Sequence, residues 1–162
     1  DVAVVPMPQY MALGEDAKNR ADAVQAAHPD ITNWLMTGHS MGGTAAGQYV
    51  YDKLDADEAE KIIGLVIMGS YMDGDHDLSD QTIPVLMLYG TEERIANADK
   101  DKYDEARAYL PAEAIHFPVE DGFHFGFCFS ENNREDEEQL ITHQAQHDIH
   151  VPQIVSFIQS IM

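Results

Sequence analysis

Cysteine is nearly missing from this chain. Cys128 is the only one, so no disulfide can close within it, which fits a reducing compartment. Basic residues are scarce too: 9 Lys and Arg stand against 29 Asp and Glu, for a formal net charge of -20. A chain without a basic face cannot hold a phosphate backbone, so nucleic acid is excluded as a partner. Anionic membranes are disfavoured on the same ground. No apolar run approaches the ~20 residues that a membrane span needs. Nor does the chain open with the basic segment and apolar stretch of a secretory signal. It starts at Asp1 rather than Met, directly on an apolar run, which leaves room for a signal or anchor upstream. The cytoplasm is the slightly favoured location.

What is present suits one domain with a real core: 162 residues, 44% of them hydrophobic. The acidic excess reads as a highly soluble surface or, more sharply, as adaptation to high salt. "VAVVPMP" at 2–8 reads as a short buried strand stopped by prolines. Four further strands are expected at 31–37, 61–70, 83–90 and 113–120. Helices are expected over 14–30, 41–54, 96–111 and 148–162, the last with Val151, Ile154, Val155, Ile158 and Ile161 or Met162 at helical spacing. Strands that alternate with helices in this way predict an α/β fold: a mostly parallel sheet with helices on both faces. Ligands collect at the carboxyl ends of the strands in such sheets.

Three groups fall at those ends. Gly38-His39-Ser40-Met41-Gly42 fits G-x-S-x-G between an expected strand and an expected helix. A nucleophilic serine needs a tight turn that pushes its hydroxyl out, and glycines let neighbouring backbone approach. The N–H of Met41, at the helix start, can then face an oxyanion. Serine also needs a base, usually a histidine oriented by a carboxylate. Glu92 and Glu93 follow the strand ending at Gly90, and His124 follows the strand 113–120. The order Ser, acid, His suits this architecture. His39 is rejected as the base, because neighbours on a tight elbow point apart.

"GHSMGG", "LYGTEERIA" and "DGFHFGF" resemble the α/β-hydrolase family, and more narrowly its small, capless, dienelactone-hydrolase-like branch. Met7-Pro8, Gly38 to Gly43, Tyr89-Gly90 and Gly122-Phe123-His124 fill the places of that branch's motifs. The resemblance implies a catalytic triad of Ser40, Glu93 and His124, with Met41 as oxyanion donor and no cofactor. The family usually has Asp where this chain has Glu93, which keeps Glu92 as a rival. It also implies earlier strands and a second oxyanion donor that would precede Asp1. Either residues 1–162 are roughly the last two thirds to three quarters of one α/β-hydrolase domain, N-terminally incomplete, or 2–6 pairs directly with the serine strand in a reduced sheet. The expected function is hydrolysis of a carboxylic ester or related acyl bond in a small-molecule substrate. The alternatives are an acyltransferase, thioesterase or peptidase with the same triad, or an inactive binding module.

Other signals are weaker. Asp73, Asp75 and Asp77 alternate, but an EF-hand would need a carboxylate where Pro84 stands, so a solvated loop is expected. His143 and His147 have metal-compatible spacing without H-E-x-x-H and read as a surface pair, with no metal expected. The acidic run 131–138 reads as a solvated helix start, and Cys128 as a core or near-site residue without a catalytic duty.

Overall fold

Short apolar runs rich in Val, Ile, Leu and Met form the strands. The computed structural model describes residues 2–5, 7, 20–93, 100–128 and 139–162. Its sheet holds β1 (Trp34–His39), β2 (Ile62–Met68), β3 (Val85–Gly90) and β4 (Ile115–Val119), all parallel and in sequential order. The helices are α1 (Arg20–Ala27), α2 (Met41–Asp55), α3 (Lys100–Ala106) and α4 (His143–Ile161). Short 3-10 turns follow at Arg107–Tyr109 and His124–Phe127.

Alternation along the strands makes two cores. Leu65, Ile67, Val85, Met87 and Tyr89 face one side, packed with Ala46 and Val50 of α2 and Tyr103 of α3. Val66, Leu86, Leu88 and Val119 face the other, against Phe127 and Phe157 of α4. A strand buried on both faces must be apolar at every position, as β3 is. Each fully buried side chain of this kind contributes roughly 1.5–3 kcal/mol. Small residues at the start of α2 bring it close to the sheet: a Cβ on Gly43 would lie 2.7 Å from Ser70 Cβ.

Several expectations are corrected. Residues 2–5 form no strand and do not pair with β1, and Val2 and Val4 are 91% and 87% exposed. Proline has no N–H for a ladder, and Pro6 and Pro8 bracket the end of that run. Among the described residues the sheet therefore has four strands where five were expected, and β1 bonds there only to β2. The strand expected from Ile83 starts at Val85, because Pro84 can only accept, its carbonyl taking the N–H of Leu65 at 3.0 Å. The last helix begins earlier than expected, at His143, where Thr142 caps it by accepting the N–H of Ala145 at 3.1 Å. Its buried face is also rotated. Gln146, His150 and Phe157 are buried and Ile154 and Ile161 pack on the core, while Val151 and Val155 are exposed. Of the first expected helix, 14–30, residues 20–30 are described, and α1 ends at Ala27 with a turn over 28–30; of the 96–111 helix, the part from Lys100 onward is described. The acidic run 131–138 lies outside the described residues.

Candidate active site

The registers align the strand ends. His39 pairs with Met68, Met68 with Leu88, and Gly90 with Val119, so the residues that follow each strand share one edge of the sheet. Ser40 sits there between β1 and α2 at φ 55° and ψ -127°, a backbone region that L residues rarely occupy. Its N–H donates to the Met68 carbonyl at 2.9 Å, and its own carbonyl receives the N–H groups of Gly43 and Thr44. Gly38 is required by this turn, since a Cβ there would lie 2.2 Å from the Gly42 oxygen. Gly42 is different: a Cβ on it would meet none of the described residues within 4 Å. Met41 is the first residue of α2, a 15-residue helix whose positive dipole end lies beside Ser40.

Glu93 and His124 meet across the ends of β3 and β4. His124 Nδ1–H donates to Glu93 Oε2 at 3.1 Å, with the residues 4% and 2% exposed. That leaves Nε2 as the nitrogen free of the carboxylate. Glu93 Oε1 also accepts the N–H of Gly90 at 2.8 Å, and Oε2 accepts the Tyr103 hydroxyl at 2.5 Å. Glu92 lies on the same turn, only half-buried, its N–H donating to the Gly122 carbonyl at 2.8 Å. The carboxylate that reaches the imidazole is therefore that of Glu93.

The histidine loop is clamped from two sides. Buried Gln146 of α4 accepts the N–H of Phe123 with Oε1 and donates to its carbonyl with Nε2, both at 3.0 Å. His39 Nε2–H donates to the carbonyl of His124 at 3.0 Å, with the two rings 4.6 Å apart. Burial, and next the neighbouring His124, push the pKa of His39 down to about 4, so this ring is neutral at pH 7. Gly69 closes the gap at φ 53°, where a Cβ would stand 3.0 Å from His124 Nδ1. Ser40 and His124 thus share the sheet edge through Met68, Gly69 and His39. No hydrogen bond joins Ser40 to His124 among the described residues.

The sequence did not reveal Tyr103, Gln146 or the bond from His39. They lie on other elements or act on backbone, and no motif marks them. The weaker signals resolve as local structure. Asp73 Oδ1 accepts from the backbone of Asp75 and His76 and from His76 Nδ1, closing a turn. His143 donates to the carbonyl of Cys128. No group of three or more His, Cys, Asp and Glu is arranged to hold a metal ion among the described residues. No helix among the described residues is long and apolar enough to cross a membrane.

A family model described as "Alpha/beta hydrolase family" matches residues 1–148. The chain belongs to the alpha/beta hydrolase family. This membership supports a hydrolase. Two solved structures are similar to this hydrolase in fold. One is MGS-MChE2, an alpha/beta hydrolase enzyme from the metagenome of sediments of the lagoon of Mar Chica, Morocco. It is 12% identical with a TM-score of 0.63, over 94% of this chain and 74% of that one. The other is the esterase RhEst1 from Rhodococcus sp. ECU1013, 15% identical with a TM-score of 0.60, over 91% of this chain and 72% of that one. At such identities the likeness shows the fold alone. Among curated proteins, none matches the sequence.

Proposed function

We propose that this hydrolase cleaves a carboxylic ester or related acyl bond through Ser40, His124 and Glu93. The observation that carries the reading is the buried Glu93–His124 pair, 3.1 Å apart, on the sheet edge that also holds Ser40 in its strained turn. Glu93 fixes the imidazole with Nδ1 protonated, so Nε2 can take the proton of the Ser40 hydroxyl as its oxygen attacks the carbonyl. The N–H of Met41, aided by the helix dipole, stabilises the tetrahedral oxyanion. His124 then gives its proton to the departing alcohol, leaving an acyl-serine. Water, activated by the same nitrogen, releases the acid and restores Ser40. The carboxylate of Glu93 stabilises the imidazolium formed in each half-reaction.

The esterase name of one fold neighbour agrees with an ester substrate. So does the connection 69–84 between β2 and β3, which is too short to form a lid domain of its own and so favours small, soluble acyl substrates. A panel of p-nitrophenyl esters of rising chain length tests the reading. Short esters should be turned over, and Ser40→Ala should abolish the turnover by several orders of magnitude. Turnover that survives Ser40→Ala would refute it. Preferred cleavage of a thioester or peptide, or transfer to an alcohol, would move the substrate class while keeping the same residues.

A further inference from the structure

Glutamate as the orienting acid raises a mechanical question. Its side chain has one more rotatable bond than aspartate, so its carboxylate samples more positions and must fold back to meet a histidine near its own turn. A buried carboxylate also needs donors for its lone pairs. Glu93 is 2% exposed, so protein groups must supply them.

Among the described residues, two do so besides His124. The Gly90 N–H takes Oε1, and the Tyr103 hydroxyl takes Oε2, the same oxygen that faces the imidazole. The Tyr103 ring is fully buried and cannot swing aside. It stacks on Tyr89 with centroids 4.5 Å apart and an 8° interplanar angle, and meets the edge of Tyr71 at 5.8 Å. The Tyr89 hydroxyl is held in turn by Arg107 Nη2 at 3.2 Å. A rigid aromatic stack thus aims one hydroxyl at one carboxylate oxygen.

We propose that Tyr103 is a positioning residue for the acid: its hydroxyl, acting with the Gly90 N–H, holds the longer Glu93 side chain in the folded-back rotamer that presents Oε2 to His124 Nδ1. This rests on the reading of Ser40, Glu93 and His124 as the reacting set. Tyr103 acts on the reaction only through Glu93, so its removal should matter only while that carboxylate is present.

Tyr103→Phe keeps the ring stack and removes the hydroxyl. With p-nitrophenyl acetate, kcat should fall roughly tenfold, the scale of losing one hydrogen bond to a charged group, with KM unchanged. The rate of fluorophosphonate labelling at Ser40 should fall in parallel. Against a Glu93→Gln background, the same substitution should change that labelling rate by less than about twofold, because the two residues act as one unit. Equal losses in both backgrounds, or a Tyr103→Phe protein with the wild-type kcat, would overturn the proposal and leave Tyr103 as core packing. Should the Phe variant fail to fold, 4-fluorophenylalanine in place of Tyr103, which keeps the ring, fills the space of the hydroxyl and has no O–H to donate, takes the same test. A Ser40→Ala control separates the two claims. If it stays active, the reaction reading itself fails; if it is inert while Tyr103→Phe is fully active, only the role of Tyr103 is lost.

Discussion

Replacing His39 by glutamine should flatten the acid side of the stability profile. His39 titrates at about 4 in the folded protein against 6.5 for an ordinary histidine, because burial and the adjacent His124 disfavour its cation. Between those values the unfolded chain binds a proton that the folded chain refuses, so stability is complete above about pH 6.5 and is lost as pH falls towards 4. From pH 7 to pH 5 the loss amounts to about 2 kcal/mol. For a chain of this size that is a drop in Tm of roughly 4–8 °C. Other groups titrate over the same range. Burial also lowers the pKa values of His116 and His150, while the acidic surface loses repulsion as pH approaches the pI of about 4.4. These effects are shared by wild type and variant and cancel in the difference. His39→Gln retains an N–H donor for the His124 carbonyl and has nothing to protonate. Thermal melts of both proteins at steps from pH 7 to pH 5 give the answer. The wild type should lose the additional 4–8 °C relative to the variant; parallel curves would refute the buried, neutral His39.

Two further outcomes follow from the geometry and charge. Glu93→Gln should lower kcat by on the order of 10⁴-fold, as loss of the orienting carboxylate does in serine triads, whereas Glu92→Gln should change it little; a larger loss at Glu92 in ester assays would reverse the assignment of the acid. With a net charge of -20, raising NaCl from ~0.01 M to ~1 M, which shortens the screening length from ~30 to ~3 Å, should raise Tm, and a flat or falling melt series would contradict that.

The sheet and its edge were legible in the sequence because two-faced burial leaves an unbroken apolar run, as in 62–68 and 85–90. The elbow was legible because the turn at Ser40 needs small neighbours at fixed offsets, and Gly38 is one that no other residue could replace. What failed depended on partners distant in the sequence. The run 2–5 carries strand-like residues, yet a strand exists only where a neighbour completes its ladder. On α4, periodicity picked out Val151 and Val155, but the buried stripe runs through Gln146 and His150. Those polar residues sit inside because their side chains bond to backbone, Gln146 to Phe123 and His150 to the carbonyl of Gln146. Tyr103 was invisible for a similar reason. It reads as one apolar position of a helix, and its hydroxyl gains meaning only once α3 is laid against the end of β3.

Covalent labelling of Ser40 bears on the proposal that His124 activates it as a nucleophile. The folded protein is treated with a fluorophosphonate and its peptides are read by mass spectrometry. A single phosphonyl adduct should form on Ser40, be lost in Ser40→Ala and form more slowly by orders of magnitude in His124→Ala. A folded protein that takes no label, or takes it elsewhere, would contradict the proposal.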